Sequence, residues 1–232
     1  MSTPLTLPAA LLFDLDGTLV DTAPDLAMAT NALRQHHGLP PLDYPTIRAQ
    51  VSNGGNALTT LALNIDATHP DHATARDFLL DAYGAAVAVH SRVFPTLEAL
   101  LNTWQKAGRA WGIVTNKPRR YAEPLVEALT LSPDVLLCAD DLPVRKPNPE
   151  PLLEAARRLG VSPQGCWYIG DHLRDIEASL AASMPAVAVA YGYLDDPSEA
   201  LEWQADACFD TPQALSEQLL SLLESVAIAT DD

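Results

Sequence analysis

The sequence predicts an α/β protein, a doubly wound parallel sheet with an inserted all-helical segment. Three observations carry that expectation. Short apolar runs recur along most of the chain and alternate with segments of helical period. The runs are continuous rather than alternating, which suits strands covered on both faces, as in a parallel sheet. One stretch, from about Val20 to about Arg92, holds helical patterns and no convincing strand. The 232 residues fit one large domain or one domain with an insert.

The elements follow in order. Residues 9–15 (AALLFDL) read as the first buried strand. The helical stretch comes next. Residues 25–37 form a helix stopped by Gly38-Leu39-Pro40-Pro41, and residues 46–51, 57–63 and 73–89 are further helices. Beyond it the βα rhythm resumes. Strands are expected at 111–116 (WGIVTN), 135–139, 166–171 (CWYIGD) and 186–190, with a weaker sixth at 207–209. Helices are expected at 97–108, 119–129, 151–159, 176–182 and 213–226. Pro118, Pro149 and Pro212 sit near helix starts, where a missing N–H costs little. Gly108 and Gly160 sit where helix stops belong. This is a βαβ series. It divides the chain into an α/β core, residues 1–19 and 93–232, and a helical cap, residues 20–92.

Composition narrows the function. Hydrophobic residues are 48% and charged residues 19%, enough apolar material for a substantial core. The 14 Lys+Arg against 30 Asp+Glu leave a formal charge of −16, which argues against a nucleic-acid face and an anionic membrane surface. The charge is unevenly placed: residues 175–232 hold no Lys or Arg and 12 Asp+Glu. Cys138, Cys166 and Cys208 lack metal-ligand spacing and read as buried small hydrophobes in a reducing compartment. No basic segment precedes the first apolar run, and Asp14 interrupts that run. The expectation is a soluble cytoplasmic protein, monomer or homodimer.

Three strands end in polar residues: Asp14-Leu15-Asp16-Gly17-Thr18, Thr115-Asn116-Lys117, and Gly170-Asp171 followed by Asp175. Open α/β sheets bind ligands outside the carboxyl ends of their strands, so these residues converge. Lys146, in the loop after the third strand, can join them. Four carboxylates at one edge, Asp14, Asp16, Asp171 and Asp175, repel one another unless a cation intervenes. An all-oxygen set suits a hard ion, and Mg²⁺ leaves room for phosphate oxygens. With Lys146 and the Thr115 hydroxyl it makes a phosphate clamp. In Asp14-x-Asp16-Gly17-Thr18 the first carboxylate can attack phosphorus. The second can protonate the leaving oxygen and then activate water. Gly17 allows a tight turn, and Thr18 can touch the phosphate. Alone, the segment reads equally as a helix N-cap and turn.

Four segments carry a family resemblance: Phe13-Asp14-Leu15-Asp16-Gly17-Thr18, Val114-Thr115-Asn116, Lys146-Pro147 and Gly170-Asp171-x-x-x-Asp175. In this order they resemble the haloacid dehalogenase superfamily over nearly the whole chain. The resemblance implies a Rossmann-like core with a helical cap inserted after the first motif. It implies Asp14 as nucleophile and Asp16 as acid/base. It also implies Mg²⁺ held by the Asp14 carboxylate, the Asp16 carbonyl and Asp171, with Asp175 supporting the metal or Lys146. The dehalogenase branch carries a non-acidic residue at position 16, so Asp16 points to phosphoryl chemistry. The chain is most similar to the phosphoglycolate phosphatase family. Segments 89–92, 111–118, 174–177 and 191–193 resemble its N-acetylmuramic acid 6-phosphate phosphatase subgroup more closely still. His172 departs from the Ser or Asp common at that position and could tune the metal's surroundings.

Substrate choice is expected in the cap. In Val51-Ser52-Asn53-Gly54-Gly55-Asn56, the glycine pair lets backbone N–H groups approach an anion, and Ser52 and Asn53 add donors. The same segment reads as a plain interhelix turn. Asn116 and Thr18 complete the expected substrate contacts. Arg48 suits either a substrate carboxylate or a solvated helix face. His36, His37, His69 and His72 read as surface residues, and His90 as a hinge or a substrate contact. Trp104, Trp111, Trp167 and Trp203 read as packing. Arg119 and Arg120 follow the second motif, and one of them could reach the site mouth. The expected function is Mg²⁺-dependent hydrolysis of a small phosphorylated metabolite, N-acetylmuramic acid 6-phosphate ahead of 2-phosphoglycolate. A sugar phosphate mutase or a non-catalytic binding protein on the same fold are the rival classes.

Overall fold

The computed structural model describes residues 6–194 and 196–230. Six parallel strands form one sheet in the order β5-β4-β1-β6-β7-β8. These are β1 (Ala10–Phe13), β4 (Ala110–Val114), β5 (Val135–Leu137), β6 (Cys166–Gly170), β7 (Ala186–Val189) and β8 (Ala207–Phe209). β1 lies at the centre, with Leu11 paired to Trp111 on one side and Trp167 on the other. The chain runs from β1 outward to β4 and β5, then returns across β1 to β6, β7 and β8. The switch point of the doubly wound sheet is therefore at β1, where such sheets open their ligand crevice.

Both faces of the sheet are covered, which is why its strands read as continuous apolar runs. Leu11, Phe13, Trp111, Ile113, Trp167 and Ile169 point to one face. There they pack on α5 (Leu97–Lys106), α6 (Arg119–Ala128) and α9 (Pro212–Thr230). Ala10, Leu12, Val114 and Tyr168 point to the other, against α7 (Glu150–Leu159) and α8 (Leu173–Ala181). Trp104, Trp111 and Trp167 are buried packing residues, as expected. α5 is followed by Gly108 and α7 by Gly160, both with positive φ. α8 begins three residues earlier than its pattern suggests. His172 caps it through Nδ1, which accepts from Arg174 N, and Asp175 Oδ2 accepts from His172 N.

Between β1 and β4 the chain forms α1 (Ala23–His36), α2 (Tyr44–Arg48), α3 (Gly54–Leu63) and α4 (His72–Gly84). They enclose an apolar cluster of their own, centred on Leu26, Leu33, Ile47, Leu58 and Leu79, which Tyr121 and Tyr193 join from the sheet side. Three expectations need correction here. The stretch is not free of strand: β2 (Val20–Asp21) and β3 (Arg92–Val93) pair antiparallel at its two ends. α4 stops at Gly84 rather than near Val89, and the backbone N–H groups of His90 and Ser91 turn to the Asp25 carboxylate instead. His72 is not a surface residue; it is buried, with Nε2 against the Thr60 hydroxyl. Among the described residues no helix is long and apolar enough to cross a membrane.

Candidate active site

Asp14 follows β1 at the switch point, and its backbone N–H still continues the ladder to Ile169 O. The side chain is held by two donors: Leu15 N at 2.7 Å and Lys146 Nζ at 3.0 Å, both on Oδ1. Lys146 Nζ also reaches Asp175 Oδ1 at 2.7 Å and Tyr168 Oη at 2.6 Å. The three protons of the ammonium thus meet three acceptors in a dry setting. Burial alone would depress the Lys146 ammonium, but the Asp14 and Asp175 carboxylates more than offset it, so the lysine stays charged. The Asn116 side chain ties this loop to β4. Its Nδ2 donates to Lys146 O and its Oδ1 accepts from Lys146 N.

Asp171 ends β6 on the other side of Asp14. Its Oδ2 accepts from Tyr193 N at 3.0 Å and Ser52 Oγ at 3.1 Å, and its Oδ1 from Thr18 Oγ1 at 3.2 Å. Thr18 is fully buried, so the Thr18 hydroxyl faces Asp171 rather than the open cleft. Asp14, Asp171 and Asp175 each offer an oxygen within 4.8 Å of the others. Burial, together with the Asp14 and Asp175 charges, pushes the Asp171 carboxyl up to about 7. Burial also raises Asp175, against the pull of Lys146. One lysine among three such carboxylates leaves negative charge that a hard, oxygen-seeking cation would neutralise, so the residues fit Mg²⁺. The backbone makes room for them. A Cβ at Gly17 or Gly192 would fall 2.2 Å from Asp171 atoms, and one at Gly170 would fall 2.3 Å from Asp175 Cβ.

Asp16 stands apart from this trio. Its Oδ1 accepts from Lys117 Nζ at 2.8 Å and Thr22 Oγ1 at 2.5 Å. Lys117 is buried, and the Asp16 charge offsets that burial and raises its pKa. The Tyr193 hydroxyl accepts from Thr22 N and Ala23 N at the start of α1 and donates to Asp21 Oδ1. Sequence reasoning brought Lys117 to the site with Thr115 and Asn116 but gave it no role, and it missed Thr22, Tyr193 and Tyr168. Thr115 is buried, and its Oγ1 accepts from Lys117 N at 3.2 Å.

A cleft of about 780 Å³ opens above these groups. Asp14, Asp16, Thr115, Asn116 and Lys146 line its floor side, and Ser52, Asn53, Gly54 and Gly55 line it from the helical insert. The segment from Ser52 to Asn56 is not a plain turn: a short 3₁₀ turn runs straight into α3 at Gly54. The insert touches the core here directly, with Ser52 Oγ on Asp171 and Ser52 O accepting from Arg174 Nη2 at 2.6 Å. Arg48 lies outside the cleft lining. Its Nη2 donates to Tyr191 O at 3.0 Å and its guanidinium lies 4.9 Å from the Tyr193 ring centroid. It is thereby committed to joining insert and core. His90 faces a second groove beside α1 rather than this cleft. His172 lines the cleft, and burial, then Arg174, pushes it down to about 4, so it is neutral.

Comparison with known proteins agrees with this architecture. Residues 8–183 match the family model for haloacid dehalogenase-like hydrolases. The chain is 42% identical over 212 residues to the N-acetylmuramic acid 6-phosphate phosphatase of Pseudomonas aeruginosa, covering 90% of this chain and 94% of that protein. It is 41% identical over 219 residues to the phosphoglycolate phosphatase of Xanthomonas campestris pv. campestris, covering 92% and 97%. The crystal structure of a predicted phosphoglycolate phosphatase from Haemophilus somnus superposes with a TM-score of 0.76 at 26% identity, over 90% of this chain and 96% of that one.

Proposed function

The chain belongs to the haloacid dehalogenase-like hydrolases, and from that membership we propose that it hydrolyses small phosphate monoesters in a Mg²⁺-dependent reaction through phospho-Asp14. The observation that carries the reading is the pairing of two differently held carboxylates in one cleft. Asp14 is fixed at the switch point by Lys146 and Leu15 N, and Asp16, two residues on, is fixed by Lys117 and Thr22. Both carboxylates have Oδ1 occupied by donors. For each, Oδ2 is the atom left to work.

An Asp14 oxygen bonds to phosphorus as the bond from phosphorus to the ester oxygen breaks. Asp16, protonated at that moment, gives its proton to the departing alkoxide. The resulting Asp16 carboxylate takes a proton from water as that water attacks phospho-Asp14, releasing phosphate and restoring both acids. Lys146 holds Asp14 in place through both halves, and Thr115, Asn116 and the loop from Ser52 to Gly55 surround the phosphoryl end. Asp14, Asp171 and Asp175, with the Asp16 carbonyl, are the groups to hold Mg²⁺. When bound, the ion supplies positive charge that offsets the phosphoryl oxygens. Closure of the insert over the cleft excludes bulk water.

The favoured substrate is N-acetylmuramic acid 6-phosphate, with 2-phosphoglycolate second. The 42% relative carries the first name, and a cleft of about 780 Å³ is roomy for a two-carbon ester. The 41% relative supports the second. A panel of phosphorylated metabolites, ranked by kcat/KM with Mg²⁺ and with EDTA, tests both. Turnover that needs Mg²⁺ and vanishes in Asp14→Asn is expected, and full activity in that variant would sink the mechanism.

A further inference from the structure

The floor of the cleft is accounted for by the phosphoryl chemistry, but its outer part is not. There α4 and α6 face each other. Arg76, Leu80 and Tyr83 line the cleft from α4, at the i, i+4, i+7 spacing of one helix face. Arg120 and Tyr121 line it from the first turn of α6. The two tyrosine rings lie 5.7 Å apart between centroids, and a Cβ on Gly84 would fall 3.1 Å from the Tyr121 ring.

This wall is short of acceptors. Among the described residues, four buried side-chain polar atoms have no hydrogen-bond partner. Three of them, Arg76 Nε, Tyr83 Oη and Tyr121 Oη, belong to residues lining this cleft. A buried polar group left unmet is costly, so three around one cavity mark a place where a polar ligand belongs. Burial raises both phenols above the usual tyrosine value, so both remain donors.

The charges agree. A helix N-terminus disfavours cations, yet α6 opens with Arg119 and Arg120 and has no acid in its first turn. Arg119 is neutralised by Asp141, at 2.5 Å from Nη2. Arg120 is exposed and stacked on Tyr121, its guanidinium 4.6 Å from the ring centroid. Among the described residues no carboxylate pairs with it. Arg76 is partly neutralised, with Nη2 on Asp77 Oδ1 at 3.0 Å, which leaves its Nε free. The wall therefore offers neutral donors and one uncompensated positive charge, a match for a singly charged, planar acceptor.

We propose that Arg76, Tyr83, Arg120 and Tyr121 form a second anion subsite, which binds a carboxylate on the leaving group of the phosphate ester. The proposal rests on the phosphomonoesterase reading above and adds the residues that select phosphorylated acids over uncharged sugar phosphates. Two esters isolate the carboxylate: N-acetylmuramic acid 6-phosphate, and N-acetylglucosamine 6-phosphate, which lacks the lactyl acid. Glucose 1,6-bisphosphate asks whether a second phosphate serves instead.

The kcat/KM ratio of the first ester to the second is measured in the wild type and in Arg120→Gln and Tyr121→Phe. Arg157→Gln, an exposed change on α7, is the charge control. The wild type should prefer the acid, and each cleft variant should lower the ratio by about tenfold, the worth of one hydrogen bond to a charged group. Arg157→Gln should leave the ratio unchanged. A wild type that does not discriminate overturns the subsite, as does a ratio unchanged in both cleft variants. A preference for the bisphosphate that Arg120→Gln removes overturns the assignment to a carboxylate. Turnover of none of the three esters overturns the phosphatase reading, and the subsite with it.

Discussion

Replacing Tyr193 by Phe removes one oxygen atom and tests how Asp16 is held. The hydroxyl accepts from Thr22 N at 2.6 Å and Ala23 N at 2.9 Å, and donates to Asp21 Oδ1 at 2.8 Å. Thr22 precedes α1 and makes no side-chain cap of its own, so the tyrosine serves as a long-range cap for that helix. The Phe ring keeps the packing and the contact with Arg48, so the loss is confined to hydrogen bonds. Two buried amides left unmet should cost about 2–6 kcal/mol together. In a protein of this size about 2–4 °C of Tm goes with each kcal/mol, so the melting temperature should fall by about 5–25 °C. Thr22 Oγ1 also fixes Asp16 at 2.5 Å, so kcat should fall by a larger factor than KM changes. Thermal unfolding by circular dichroism, with initial-rate kinetics on the best ester, measures both. A Tm within about 2 °C of the wild type would refute the capping argument.

Three further outcomes are expected. Gly192→Ala places a Cβ 2.2 Å from Asp171 Cβ, so Asp171 must move; Mg²⁺ affinity by calorimetry should drop sharply while the fold survives, and unchanged affinity would separate Asp171 from the metal. Lys146→Met strands Asp14 and Asp175 without their buried partner, which should cost about 3–5 kcal/mol in urea unfolding and abolish turnover; a stability loss under about 1 kcal/mol would contradict the pairing. The Arg119 guanidinium holds the Asp141 carboxyl below its ordinary value of 3.8. Because the folded state binds that proton less readily, the pair stabilises fully above the unfolded value and loses its effect as pH falls through the lower, folded one. The stability gap between wild type and Asp141→Asn, followed by urea unfolding from neutral pH downward, should therefore narrow in acid; a gap that widens there has the wrong sign.

What could be read from the sequence was whatever announces itself locally. The six sheet strands showed because both faces are covered, and the site acids showed because they end such strands. β2 and β3 are two residues each and exist through one another's backbone, so no side-chain pattern could mark them. α8 began early because a histidine ring nitrogen does the work usually given to Ser, Thr or Asp. α4 stopped early although residues 85–89 remain apolar, because Asp25, some 65 residues away in the chain, claims the amides of His90 and Ser91. The supports of the site share that character. Thr22, Tyr193 and Tyr168 act through contacts that only the closed fold creates, and Arg48 was diverted to Tyr191 O by the same closure.

The acidity of the chain resolves into a spatial division. Six of the 14 basic residues, Arg76, Lys117, Arg120, Arg145, Lys146 and Arg174, line the one cleft, against three acids, Asp14, Asp16 and Glu177. Asp175 and Glu177, on α8, belong to the site; the residues after them carry ten acids and no Lys or Arg, and they supply β7, β8 and α9. β8 is the sheet edge, three strand spacings of about 4.8 Å from β1, so Asp206 and Asp210, which flank it, stand about 14 Å from the strand that carries Asp14. That exceeds the Debye length of about 8 Å at physiological ionic strength, so an anionic ester at the cleft is largely screened from the edge. Its entry is governed locally, where Lys117, Lys146 and Arg76 are paired with carboxylates and Arg120 is not. A net charge of −16 and an anion-binding cleft are therefore compatible, because cations line the cleft and the acids at the sheet edge stand more than a screening length away.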